Sequence, residues 1–242
     1  MLPKRHIKLI TSLKQKKFRQ EHQLFVAEGI KTVNELIRSD YECYHLYTTT
    51  LDFDVSDVKQ TRITPNELKK ISFLRTPNEV LGLFRIPQSK PIDFSKLVIA
   101  LDDVRDPGNL GTIIRLCDWF GVKDLVCSLE TVDCFNPKVV QATMGSITRV
   151  NVSYVDLKET LQEAGSSLFG TFMDGENVYT SELPKKGVLL LGNEANGISK
   201  DVESIVTHRI AIPRFGQIKA TESLNVANAT AIFLSEFMRR SY

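Results

Sequence analysis

The chain has 242 residues, 42% of them hydrophobic and 25% charged, an ordinary globular composition with room for one large domain or two unequal ones. No run approaches the ~18–20 apolar residues of a membrane span, the best stretches being 97–101 and 188–191. The first residues start basic but never supply an apolar core with a small-residue cleavage site, so the expected location is the cytoplasm.

The net charge of +2 is unevenly spread. Lys4, Arg5, Lys8, Lys14, Lys16, Lys17 and Arg19 all precede the first acid, Glu21. Such a start suits a polyanion, because each phosphate neutralised releases counterions; it equally fits a solvated terminus. Phe25–Arg38 is then predicted as a helix and Tyr44–Thr48 as a strand. Thr64-Pro-Asn-Glu67 matches a capping box with proline at the first helical position, opening a helix over Glu67–Phe73. Val80–Ile86 is predicted as a strand. The prolines of Pro87-Gln-Ser-Lys-Pro91 discourage continued regular structure. A small α/β domain over 1–90 and a larger domain over 95–242 are therefore expected.

Beyond that stretch, strand, turn and helix alternate. Strands are predicted at Leu97–Leu101, Asp124–Cys127, Val150–Val155, Leu168–Met173, Val188–Leu191 and Arg209–Ile212. Helices are predicted at Leu110–Phe120, Lys138–Met144, Leu157–Glu163, Lys200–Ile205 and Leu224–Met238. The alternation implies a mostly parallel sheet with helices on both faces. Cys43, Cys117, Cys127 and Cys134 have neither Cys-x-x-Cys spacing nor a neighbouring histidine, so packed thiols are expected and no metal site.

In open α/β sheets, ligands collect beyond the carboxyl ends of the strands, and three segments fall there. In the first, Asp106-Pro-Gly-Asn-Leu-Gly-Thr-Ile-Ile-Arg115, Asn109 suits a helix cap and Arg115 stands clear of the apolar stripe. Alone, Arg115 reads more simply as a surface residue paired with Asp118. In the second, Leu191-Gly-Asn-Glu-Ala-Asn-Gly-Ile-Ser199, the glycine spacing imitates a phosphate loop, but Ile198 stands where that loop needs lysine and Glu194 would repel phosphate. A neutral or cationic ligand fits it better, and a plain tight turn also fits. In the third, Ile212-Pro precedes Ser223-Leu-Asn-Val226, with Ser223 suited to cap the last helix.

Together and in order, the three strings resemble the signature motifs of the SpoU/TrmH-type RNA ribose 2′-O-methyltransferases, of the knotted SPOUT class. More weakly, Phe25-Val-Ala-Glu-Gly-Ile-Lys-Thr-Val-Asn-Glu-Leu36 resembles the ribosomal-protein-like substrate domain that precedes the catalytic domain in many members. The resemblance implies an α/β fold with a C-terminal trefoil knot, S-adenosylmethionine as cofactor, structured RNA as partner with ribosomal RNA ahead of tRNA, and a homodimer whose sites draw on both subunits. It places Leu191, Gly192, Asn193, Gly197, Ile212 and Leu224 at the cofactor. It gives Asn109, Arg115, Glu194, Ser223 and Asn225 to catalysis or to holding the site together. Guanidinium groups stay protonated in proteins, so Arg115 is expected to hold the RNA phosphate and stabilise the forming alkoxide, oriented by Asn109 and Ser223, rather than to take the proton. Two departures from the common pattern stand out: a long spacer over 214–222, in which Arg214 and Lys219 could meet RNA, and Asn225-Val-Ala-Asn228 in place of the usual Asn-Val-Ser. The alternative is a noncatalytic RNA-binding protein that keeps the fold.

Overall fold

The computed structural model describes residues 2–50, 53–216 and 223–239. The chain divides into one unit of Met1–Gln88 with Asp133–Thr148, and a second of Ser89–Val132 with Arg149–Tyr242. The boundary near residue 90 follows the proline-flanked stretch. The segment 133–148 belongs to the first unit, which places the helix predicted at Lys138–Met144 outside the larger one.

In the first unit the basic start forms two helices, α1 (Lys4–Ser12) and α2 (Lys16–His22). Lys4, Arg5, Lys8, Lys14, Lys16 and Lys17 are exposed. Arg19 is not: it is 2% exposed, donating to the carbonyls of Leu13 and Lys14 at 2.9 Å each and pairing with Asp133 at 2.5 Å. One member of the basic run thus serves the fold. The sheet runs β1 (Leu24–Glu28), β4 (Val80–Arg85), β2 (Cys43–Thr48), β3 (Gln60–Arg62), antiparallel except for the β2–β3 pair. The helix predicted over Phe25–Arg38 is instead β1 followed by α3 (Ile30–Ile37). All five β1 residues are buried, and a short run buried on both faces has no periodicity to separate strand from helix. Gly29, at φ +89°, makes the break between them. The capping box forms as predicted at the start of α4 (Pro65–Ile71). Residues 133–148, with α6 (Pro137–Thr143), are tied in by the Arg19–Asp133 pair, by Phe135 against Phe25 at 4.8 Å between ring centroids, and by the Tyr41 hydroxyl on the Ile147 carbonyl.

The second unit has a six-stranded sheet in the order β10-β8-β9-β5-β6-β7, every pair parallel. The strands are β5 (Leu97–Leu101), β6 (Asp124–Ser128), β7 (Asn151–Val155), β8 (Leu168–Asn177), β9 (Gly187–Leu191) and β10 (His208–Ala211). Their helices are α5 (Pro107–Phe120), α7 (Leu157–Ala164), α8 (Lys200–Glu203) and α9 (Val226–Arg239). Residues from α7 and α8 pack on Val98, Ala100, Val126, Val188 and Leu190. On the opposite face Phe237 of α9 stands edge-on to Phe169, and α9 packs along α5. The order reverses between β5 and β9, so the crevice at their carboxyl ends is the topological switch point where such sheets bind ligands. Among the described residues, no helix is long and apolar enough to cross a membrane.

Candidate functional site

All three segments singled out by sequence open from this end of the sheet. After β9 the chain folds back on itself: Asn193 and Gly197 exchange backbone hydrogen bonds of 3.0 and 2.8 Å. The turn requires its glycines. A Cβ on Gly192 would lie 2.2 Å from the backbone of Gly197 and Ile198, and Gly197 sits at φ +69°. The Asn193 side chain organises the loop, accepting from the N–H groups of Ala195 and Asn196 and donating at 2.7 Å to the carbonyl of Asp103. The buried carboxylate of Asp102 accepts from the Ser199 N–H at 2.8 Å. The loop after β5 and the loop after β9 are thereby locked together.

The helix caps differ from the sequence reading. Asp106, not Asn109, caps α5 by accepting from the Asn109 N–H at 2.8 Å. Asn225, not Ser223, caps α9, its Oδ1 accepting from Ala227 and Asn228 at 3.0 and 3.2 Å. Both corrections lie within the tolerance of a pattern in which several capping residues sit close together. They have a chemical consequence, because the Asn109 side chain is left for other work. Its Nδ2 donates to Glu194 at 2.5 Å, and its Oδ1 accepts from Asn225 Nδ2 at 2.8 Å. One member from each distant segment thus joins a single chain of side-chain bonds, Asn225–Asn109–Glu194. This commits one N–H and the oxygen of the Asn109 amide to Glu194 and Asn225.

Beside this chain lies a cavity of about 650 Å³, within the range of roughly 300–1,000 Å³ typical of small-molecule sites. Leu191, Gly192, Asn193, Gly197, Ile212 and Leu224 all line it, as do Glu194 and Ser223. Its walls also include Ile198, Phe172, Tyr179, Phe215 and Phe233, which motif reasoning missed. Phe172 is backed by Arg209, whose guanidinium lies 3.5 Å from the ring centroid and is clamped by Glu203 at 2.5 Å and Asp174 at 2.7 Å. No sequence signal marks Phe172 or Tyr179, since both enter through the tertiary course of the chain; Phe215 sits in the unusual spacer and was within reach. Lys219, with the rest of 217–222, lies outside the described residues.

Arg115 is exposed on α5 and is not among the described residues lining the cavity. It does not pair with Asp118, which instead binds Arg149 at 2.9 Å.

Residues 96–235 match the SpoU rRNA Methylase family, and residues 4–82 match the MRM3-like substrate binding domain. Along 234 residues the chain is 29% identical to the 23S rRNA (guanosine(2553)-2′-O)-methyltransferase RlmP of Bacillus subtilis, covering 92% of this chain and 91% of that one. A TrmH-family protein from Porphyromonas gingivalis superposes with a TM-score of 0.91 at 36% identity, over 99% of both chains. An AdoMet-bound rRNA methyltransferase from Sinorhizobium meliloti superposes with a TM-score of 0.86 at 29% identity, over 100% of this chain and 97% of that one.

Proposed function

The chain belongs to the SpoU rRNA Methylase family, and from that membership we propose that it transfers the methyl group of S-adenosylmethionine to a ribose 2′-hydroxyl of ribosomal RNA. The observation that carries the reading is the meeting of three segments, up to 116 positions apart, in one hydrogen-bonded chain beside one cavity.

The residues present fit the cofactor. Leu191, Ile198, Ile212 and Phe233 offer apolar walls to an adenosine, and Gly192 leaves backbone where any side chain would intrude. Glu194 sets a carboxylate at the rim, which favours a ligand bearing positive charge and disfavours a phosphate. When bound, S-adenosylmethionine supplies an electrophilic methyl on a sulfonium. The protein's part is to hold the hydroxyl in line with that methyl, exclude water and stabilise the oxygen as it loses its proton. Asn109 and Asn225 fix the Glu194 carboxylate, so they are positioning residues.

We assign Arg115 to the RNA phosphate and the developing alkoxide, acting in the cavity of a second copy. Its exposure on α5, away from the lining of its own cavity, supports a homodimer with composite sites. The same reading carries a trefoil knot in the C-terminal segment, supported by residues before and after 217–222 lining one cavity. With no membrane-crossing helix among the described residues and ribosomal RNA as substrate, the cytoplasm is the proposed location.

Methyl transfer from labelled S-adenosylmethionine to ribosomal RNA from cells lacking this protein, followed by mapping of 2′-O-methyl sites, tests the function. Arg115→Ala is expected to abolish transfer while leaving S-adenosylhomocysteine affinity within about twofold of the original, less than ~0.5 kcal/mol. Normal turnover by that variant would remove Arg115 from the mechanism.

A further inference from the structure

Two aromatic side chains at the rim of the cavity have no part in the roles given above. Tyr179 and Phe215 both line it, their ring centroids 6.2 Å apart and their planes inclined by 37°. Phe215 is 82% exposed, whereas the deeper walls Leu191, Ile198 and Phe233 are buried. Tyr179 is firmly seated: its N–H donates to Asn177 Oδ1 at 3.0 Å, and its neighbour Val178 is fully buried and bonded to the Ala211 carbonyl. That exposure leaves ring surface of Phe215 available to whatever enters the cavity from solvent.

Resting on the methyl-transfer reading above, we infer that Tyr179 and Phe215 form a stacking surface for the unpaired base of the nucleotide being methylated. A ribose hydroxyl inside a regular RNA helix is held among its neighbours, and enzymes that work on single nucleotides draw them out of the stack. The extruded base loses its stacking partners, and an aromatic face at the mouth of the site replaces them. Stacking of this kind accepts any base, because every base has a π face. The pair therefore contributes to holding the nucleotide and not to choosing its sequence. A nucleobase could in principle come from the RNA or from the cofactor's own adenosine. The depth gradient favours the RNA, since the apolar shelter for a small ligand lies below Phe215 and not at its level.

The test uses the full chain, total ribosomal RNA from cells lacking this protein, and S-adenosylhomocysteine. Phe215→Ala is expected to raise the KM for RNA about tenfold to a hundredfold, the usual cost of one lost base–aromatic stack. It should leave the Kd for S-adenosylhomocysteine within about twofold. Phe215→Trp should restore the RNA KM. An unchanged KM in Phe215→Ala, or a loss that falls on S-adenosylhomocysteine affinity instead, overturns the inference; the second result would assign the pair to the cofactor's adenine. Equilibrium binding of the same RNA, with S-adenosylhomocysteine present, reads the stack without turnover. If the original protein methylates nothing but Phe215→Ala still weakens that binding, the proposed activity fails and the stacking surface stands.

Discussion

The amide of Asn225 is divided between two demands. Its oxygen caps α9 by accepting from Ala227 and Asn228, and its nitrogen holds Asn109, which in turn holds Glu194. The two can be separated by substitution. Asn225→Asp keeps an acceptor at the cap, where a negative charge also suits the positive end of a helix. It removes the donor, so Asn109 then faces carboxylates on both sides with one amide nitrogen to share between them. Asn225→Asp is expected to melt within a few degrees of the original while turnover falls at least about tenfold, the effect of ~1.4 kcal/mol lost from the transition state. Asn225→Ala should lose activity and also about 0.5–2 kcal/mol of stability, read from urea unfolding. Full activity in the aspartate variant would show that the amide chain is dispensable.

At the scale of elements, the start of α4 couples the stability of the first unit to pH. Glu67 accepts from the Thr64 N–H at 3.0 Å and from the Leu2 N–H at 2.6 Å, and these bonds to its charged form hold its carboxyl down to about 2 from an ordinary 4.5. A depressed carboxyl binds fewer protons folded than unfolded, so its contribution is complete above pH ~4.5 and fades as the pH falls toward 2. Glu67→Gln cannot titrate. The stability gap between the original and Glu67→Gln is therefore expected to be widest near neutrality and to close between pH 4.5 and 2. Urea midpoints measured across that window check it, and a gap independent of pH would exclude the linkage. The other element-level feature, the excursion over 133–148, is held in part by Arg19, a buried cation whose hydrogen bonds go to Asp133, Leu13 and Lys14.

For the molecule as a whole, the exposed side of α5 bears on self-association. Trp119 is 84% exposed on α5, four residues beyond the exposed Arg115 and so on the same side of the helix. A tryptophan so placed is the kind of residue that dominates protein interfaces. A second copy covering this side would bury Trp119 and carry Arg115 toward the partner's cavity. Trp119→Ser is accordingly expected to weaken the proposed dimer about thirtyfold in sedimentation equilibrium, about 2 kcal/mol for an interface anchor. Turnover should then fall with dilution at higher protein concentrations than for the original. An unaltered association constant would put the interface elsewhere.

The sequence by itself determined the parallel α/β unit, the positions of its strands within a few residues, and the motif residues of the cavity wall, though not its aromatic lining. Each of these rests on local chemistry: apolar runs of strand length, glycines where backbones must approach, and asparagines and serines at helix starts. It also brought Asn109, Glu194 and Asn225 onto one short list without indicating how they join. Tertiary structure alone decided that they form one hydrogen-bonded chain, because which end of an amide faces which partner depends on segments about 85 and 116 residues apart. It decided that β1 is a strand, through pairing with β4 far along the chain. It decided that Arg19 is buried and that 133–148 belongs with the first unit, since burial of a charge is settled by its partner, Asp133, and not by its neighbours in sequence.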